Sequence, residues 1–221
     1  MATGNPMKEV RVTFHSGNLF LEGVLGIPEG SELSPAVIIC HPHPLFGGSM
    51  DNNVVNSLFE AIARASLIPF KFNFRGVGRS EGEFSQGIGE QEDIAAAISF
   101  MSSVKEVDSS KIGLVGYSAG AGFGLPVGFK DDRIKALAAL SPPLSMFDFE
   151  FLRSCLKPKL LLSGSEDEFT TLRQFLEFCQ SLPNPREYDT VEGADHFWWG
   201  YEFSIAAKVT AFFARALMEC A

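Results

Sequence analysis

Apolar residues recur along this chain with two different periods. Val10-Arg11-Val12-Thr13-Phe14-His15 alternates at period two, as a strand with one face in solvent does. Further on, unbroken runs such as Ala36-Val37-Ile38-Ile39-Cys40 and Lys159-Leu160-Leu161-Leu162 have no polar face, which fits strands covered on both sides. Between such runs Val54, Val55, Leu58, Phe59 and Ile62 return at helical spacing, and Asp51-Asn52 just ahead supplies a helix N-cap. The pattern predicts strands near 9–15, 20–26, 35–41, 69–74, 111–116, 134–140, 158–163 and 186–191. Helices are predicted near 52–66, 90–104, 118–128, 171–181 and 202–219. After the first hairpin, strand and helix alternate, and right-handed crossovers turn that order into a parallel sheet with helices on both faces.

Composition narrows the class. With 221 residues, 46% of them hydrophobic and 20% charged, the chain is able to bury roughly 70% of its unfolded surface, so residues 1–221 are expected to form one domain. The apolar runs fall far short of the ~20 residues that cross a bilayer. Met1-Ala2-Thr3-Gly4-Asn5-Pro6 lacks the basic start and apolar stretch of a signal peptide, which predicts a cytoplasmic location. Cys40, Cys155, Cys179 and Cys220 are widely spaced with no C-x-x-C pair, so reduced thiols are expected and a zinc site is not. A net charge of −9 argues against nucleic acid or an anionic membrane as partner, because both select clustered Lys and Arg. Oligomeric state is left open.

Gly116-Tyr117-Ser118-Ala119-Gly120 carries the chemistry, because it follows an apolar strand and opens a predicted helix. A serine in G-x-S-x-G at that place sits on a strained strand-to-helix turn that lifts its hydroxyl clear of the sheet edge. A serine hydroxyl needs a base within hydrogen-bond reach, and the base needs a third group to fix its tautomer. Of four histidines, His15 lies in the solvent-facing strand, while His41 and His43 precede the serine in another motif. His196 remains, on a loop after the strand near 186–191, at the end of a parallel sheet where sites form. Glu166-Asp167-Glu168, directly after the strand near 158–163, offers carboxylates, and chemistry alone leaves those three open. Asp195, beside the base in sequence, is expected to hydrogen-bond within its own loop.

In the same order, Cys40-His41-Pro42-His43-Pro44-Leu45-Phe46-Gly47-Gly48 is a buried strand running into a His/Pro/Gly loop. Phe72-Asn73-Phe74-Arg75-Gly76-Val77-Gly78-Arg79-Ser80 follows the next strand. Together with the serine motif and His196, these segments resemble the α/β-hydrolases, and most closely the small esterase-like members with a His-Pro-His-Pro-x-x-Gly-Gly loop. Asn73 stands where the family usually has an acid, a departure off the triad. The resemblance implies an α/β-hydrolase fold: a mostly parallel eight-stranded sheet with helices on both faces. Only residues 141–157 separate two of the strands, too few for a large cap domain but enough for one small helix. It further implies Asp167 as the acid, three residues after the strand-ending glycine. The implied oxyanion hole is the N–H groups of His43 and Ala119; Pro42 and Pro44 have no N–H to give. As side chains, His41 and His43 are as well suited to bracing their loop.

The expectation that follows is a serine carboxylesterase using Ser118, His196 and Asp167 on small, short-acyl ester substrates, with no metal and no organic cofactor. A thioesterase or small peptidase with the same triad, or a binding protein that keeps the fold without the chemistry, are the alternatives. Candidate pocket residues are Phe46, Tyr117, Phe147, Phe197 and Trp198, with Phe149, Phe151 and Trp199 as further possible walls.

Overall fold

Strand β1 (Met7–Ser16) turns back through Gly17 into β2 (Leu19–Pro28), pairing antiparallel over its whole length. The computed structural model describes residues 7–29 and 33–218; the N-terminal hexapeptide, Cys220 and the last residue of the expected final helix lie outside them. Then come β3 (Ser34–Cys40), α1 (Asn53–Arg64), β4 (Ile68–Phe72), α2 (Ile88–Ser103), β5 (Val107–Tyr117), α3 (Ala119–Lys130), β6 (Ile134–Leu140), β7 (Lys159–Gly164), α4 (Leu172–Ser181), β8 (Arg186–Val191) and α5 (Glu202–Met218). The eight strands lie in the order β1-β2-β4-β3-β5-β6-β7-β8. β2 meets β4 antiparallel, and every later pairing is parallel.

Every residue of β3, β4 and β7 is buried, Lys71 and Lys159 included, as strands covered on both faces require. β1 shows the other pattern: Phe14 faces the core while His15 is exposed. One core lies under α2, α3 and α4 and contains Phe14, Phe70, Phe72, Ile98, Phe123 and Phe175. The second lies under α1 and α5, with Val55, Leu58, Val115, Ile205 and Phe213. Helices therefore cover both faces of the sheet.

Helix starts follow local chemistry. Asn52 accepts the Val54 N–H at 2.9 Å and so begins α1. Thr171 and Gln174 form a reciprocal capping box at α4. The expected strand at 69–74 ends at Phe72: Asn73 N–H still reaches the Glu22 carbonyl of β2, but Phe74 N–H leaves the sheet for the His41 ring.

Two features of this layout place a site. The chain leaves β3 for β4 on one side and reaches β5 on the other, so the carboxyl ends of β3 and β5 flank the point where strand order reverses, which is where crevices open in such sheets. Between β6 and β7 there is no cap, only a turn and a 3-10 helix, Glu150–Ser154, so that crevice opens to solvent.

Candidate active site

Ser118 sits between β5 and α3 with φ 54 and ψ −123, a conformation that L-residues rarely adopt. Its N–H donates to the Leu140 carbonyl at 2.9 Å, and its own carbonyl accepts from Ala121, so the surrounding backbone holds the turn. A β-carbon at Gly116 would overlap the Ala121 backbone, and one at Gly120 would overlap the Cys40 and His41 carbonyls. Glycine at both ends of the motif is thus a condition of the turn.

The Ser118 hydroxyl lies 2.8 Å from His196 Nε2, and His196 Nδ1 lies 2.9 Å from Asp167 Oδ2. Asp167 and His196 are both buried. The other Asp167 oxygen accepts the Phe169 and Thr170 N–H groups. Burial works against ionisation of Asp167, yet the hydrogen bonds from His196 and the Phe169 N–H outweigh it and hold the carboxyl below its ordinary value. Of the three neighbouring acids left open by chemistry, Asp167 is the one bonded to His196. Asp195 instead accepts the Phe197 and Trp198 N–H groups with Oδ1, closing its own loop as expected.

Tyr117, next to the serine, donates its hydroxyl to the His196 carbonyl at 2.9 Å. Burial, with the charges of Asp167 and Asp195, pushes its phenol pKa up. The base loop is therefore held from both ends. The N–H groups of His43 and Ala119 donate to no acceptor among the described residues, which leaves both free for a ligand oxygen.

The two histidines of the β3–α1 loop have separate roles. His41 is fully buried; its Nδ1–H donates to the Pro42 carbonyl at 2.7 Å, and its Nε2 accepts from Phe74 N–H at 3.1 Å. Burial lowers its pKa to about 4, so the ring is a neutral brace between that loop and the turn after β4. His43 stands at the cleft, its Nδ1 accepting the Leu45 N–H, with Phe46 and Phe84 against its ring.

Ser118 and His196 open into a cleft of about 470 Å³, whose exposed lining is mostly carbon. Phe46, Tyr117, Phe147 and Phe197 line it. Trp198 does not: with φ 63 its backbone turns the indole away, and the ring is fully buried in the core under α1 and α5. Phe149 and Phe151 pack toward Phe178 and Phe129 instead, and Trp199 is exposed away from the lining. The lining also includes Phe169, Met146, Pro143 and Asn52, none of them anticipated as site residues. Phe169 packs its ring 4.4 Å from that of His196, and its place two residues after Asp167 was a usable signal.

The chain resembles several known proteins. An α/β serine hydrolase homologue from Coxiella burnetii is 32% identical, with a TM-score of 0.83 over 91% of this chain and 96% of that one. An α/β serine hydrolase without a lid from Xanthomonas campestris is 26% identical, with a TM-score of 0.83 over 96% of both chains. An uncharacterized protein of Rickettsia prowazekii is 31% identical over 173 residues, 75% of this chain and 72% of that protein. No family model matches the chain.

The depressed folded pKa of His41 sets a pH dependence of stability. Below its ordinary value of 6.5 the unfolded chain takes up a proton that the folded chain refuses until about pH 4, so this group's contribution is lost as pH falls through that window. His41→Gln keeps an acceptor for Phe74 and removes the titration. Urea unfolding at pH 7 and pH 4.5 is expected to show wild type losing about 2 kcal/mol more than the variant between the two; equal losses would contradict the buried neutral ring.

Proposed function

Because the chain belongs to the α/β serine hydrolases, we propose that it is a carboxylesterase acting on small, uncharged, short-acyl esters through an acyl-enzyme. The observation that carries this reading is the unbroken hydrogen-bond chain from Ser118 through His196 to Asp167 at an apolar cleft.

In this reading His196 Nε2 takes the Ser118 proton as the oxygen attacks the ester carbonyl. Nδ1–H donates to Asp167, which selects the tautomer with a free Nε2 and stabilises the imidazolium as it forms. The carbonyl oxygen becomes an oxyanion held by the N–H groups of His43 and Ala119, worth about 3 kcal/mol per donor in comparable sites. The imidazolium returns its proton to the leaving alcohol, which departs. Water, deprotonated by the same His196, then attacks the acyl-enzyme and frees the acid and Ser118. The reaction calls on no metal and no organic cofactor.

An uncharged substrate follows from the lining, which includes no Asp, Glu, Lys or Arg. A small one follows from the open cleft with no cap over it. No helix among the described residues is long and apolar enough to cross a membrane. The reading takes residues 1–221 as one hydrolase domain, places it in the cytoplasm, and assigns it a small-molecule ester rather than nucleic acid or membrane as partner.

Two changes test the assignment of the acid. Asp167→Asn is expected to lower kcat on the order of 10⁴, because Asn permits the wrong imidazole tautomer. Asp195→Asn keeps the oxygen that closes its loop and is expected to cost far less; the reverse ranking would show the wrong carboxylate has been chosen.

Acyl length tests the pocket. A methylene adds about 0.8 kcal/mol only where it is buried, so kcat/KM on p-nitrophenyl esters is expected to peak at about two to six acyl carbons and fall beyond about eight. A rise continuing to twelve or sixteen carbons would mean that a deeper channel completes the site.

A further inference from the structure

Most of the cleft lining is carbon, including Met146, Phe147, Phe169 and Phe197, and the β3–α1 loop adds the ring of Phe46 together with the polar side chains of His43 and Asn52. Apart from Tyr117, Ser118 and His196, which are hydrogen-bonded among themselves, these two carry the polar side-chain groups of the lining.

Both have their outward atoms fixed by a backbone donor behind them. Leu45 N–H donates to His43 Nδ1 at 3.2 Å, so that nitrogen holds a lone pair. Burial lowers the His43 pKa against the pull of Glu90, and in the neutral ring the proton then sits on Nε2. Val54 N–H donates to Asn52 Oδ1 at 2.9 Å, which leaves the amide NH₂ as the free end. Neither His43 Nε2 nor Asn52 Nδ2 has an acceptor among the described residues. The cleft thus offers two neutral donors and, beyond the hydrogen-bonded set, no side-chain acceptor.

Such a wall selects by chemistry. An arm made only of carbon would strip water from both donors and return nothing, a loss that polar-reading sites use to reject analogues. A carboxylate would trade its hydration for two uncharged donors, with no Lys or Arg in the lining to pair with it. An uncharged acceptor oxygen satisfies the donors without that cost. Resting on the esterase reading, we propose that the substrates are esters bearing a second uncharged acceptor oxygen, such as an ether, ketone or further ester. That oxygen lies on the arm against the β3–α1 loop, and His43 and Asn52 determine this specificity.

The test uses pairs that differ only by oxygen for methylene: 3-methoxypropanoyl against pentanoyl in the acyl arm, and 2-methoxyethyl against butyl in the alcohol arm. Intrinsic reactivity cancels when the ratio of kcat/KM within each pair is compared between wild type and variant. Asn52→Ser and Asn52→Asp both keep an oxygen for Val54 N–H, and all three residues rank together as N-caps, so α1 keeps its start. The oxygen-to-methylene ratio in at least one arm is expected to fall by about threefold to tenfold in both variants. Ratios unchanged in both arms overturn the proposal while leaving ester hydrolysis in place. A wild-type protein that turns over none of the four esters removes the esterase reading and this proposal with it.

Discussion

The approach of α3 to the end of β3 is the constraint on which the site depends. Gly120 packs against the Cys40 and His41 carbonyls with no room for a side chain. That contact seats Ser118 beside the loop carrying the His43 N–H, so the groups that would attack a carbonyl and hold its oxygen share one rigid junction. The strain at Ser118, of order 1–3 kcal/mol for such a backbone, is offset by bonds the sheet already supplies, including Ser118 N–H to the Leu140 carbonyl. A second junction joins acid to base. Ser165 N–H reaches the Val191 carbonyl, Glu166 N–H the Ala194 carbonyl, and Gly193 N–H the Ser165 hydroxyl, so the Asp167 and His196 loops are tied along their length.

The fold was legible because each strand carries its burial in its own pattern. A one-sided strand such as β1 must alternate, and a covered strand such as β3 must not; no third solution was available at either place. Helix starts were legible where a cap is a side chain, as at Asn52. The end of β4 was not, because Phe74 is strand-like in composition while its backbone amide is claimed by the His41 ring from another part of the chain. Such a long-range claim leaves no local mark.

For the site the division runs the same way. Ser118 and His196 follow from a local motif and a short list of histidines, whereas the residues alone left Glu166, Asp167 and Glu168 open and only the family resemblance pointed to Asp167. Pocket walls depend on which way a ring points, which hydrophobicity does not encode. Trp198 and Phe197 are adjacent aromatics, yet one is wholly buried and the other lines the cleft, because Asp195 closes a turn that puts Trp198 at positive φ. His41 and His43 make the same point within one motif. Two residues apart, one is sealed in the interior as a neutral brace and the other stands at the cleft.

The central claim is that Ser118 is a nucleophile activated by its neighbours rather than a serine at a conspicuous turn. A fluorophosphonate reacts with such an oxygen and forms a stable phosphonyl adduct, so mass spectrometry of the labelled, digested protein reads the claim directly. One adduct per chain, on the peptide containing Ser118 and absent from Ser118→Ala, is the predicted result. An adduct on a different peptide, or labelling undiminished in Ser118→Ala, would contradict it.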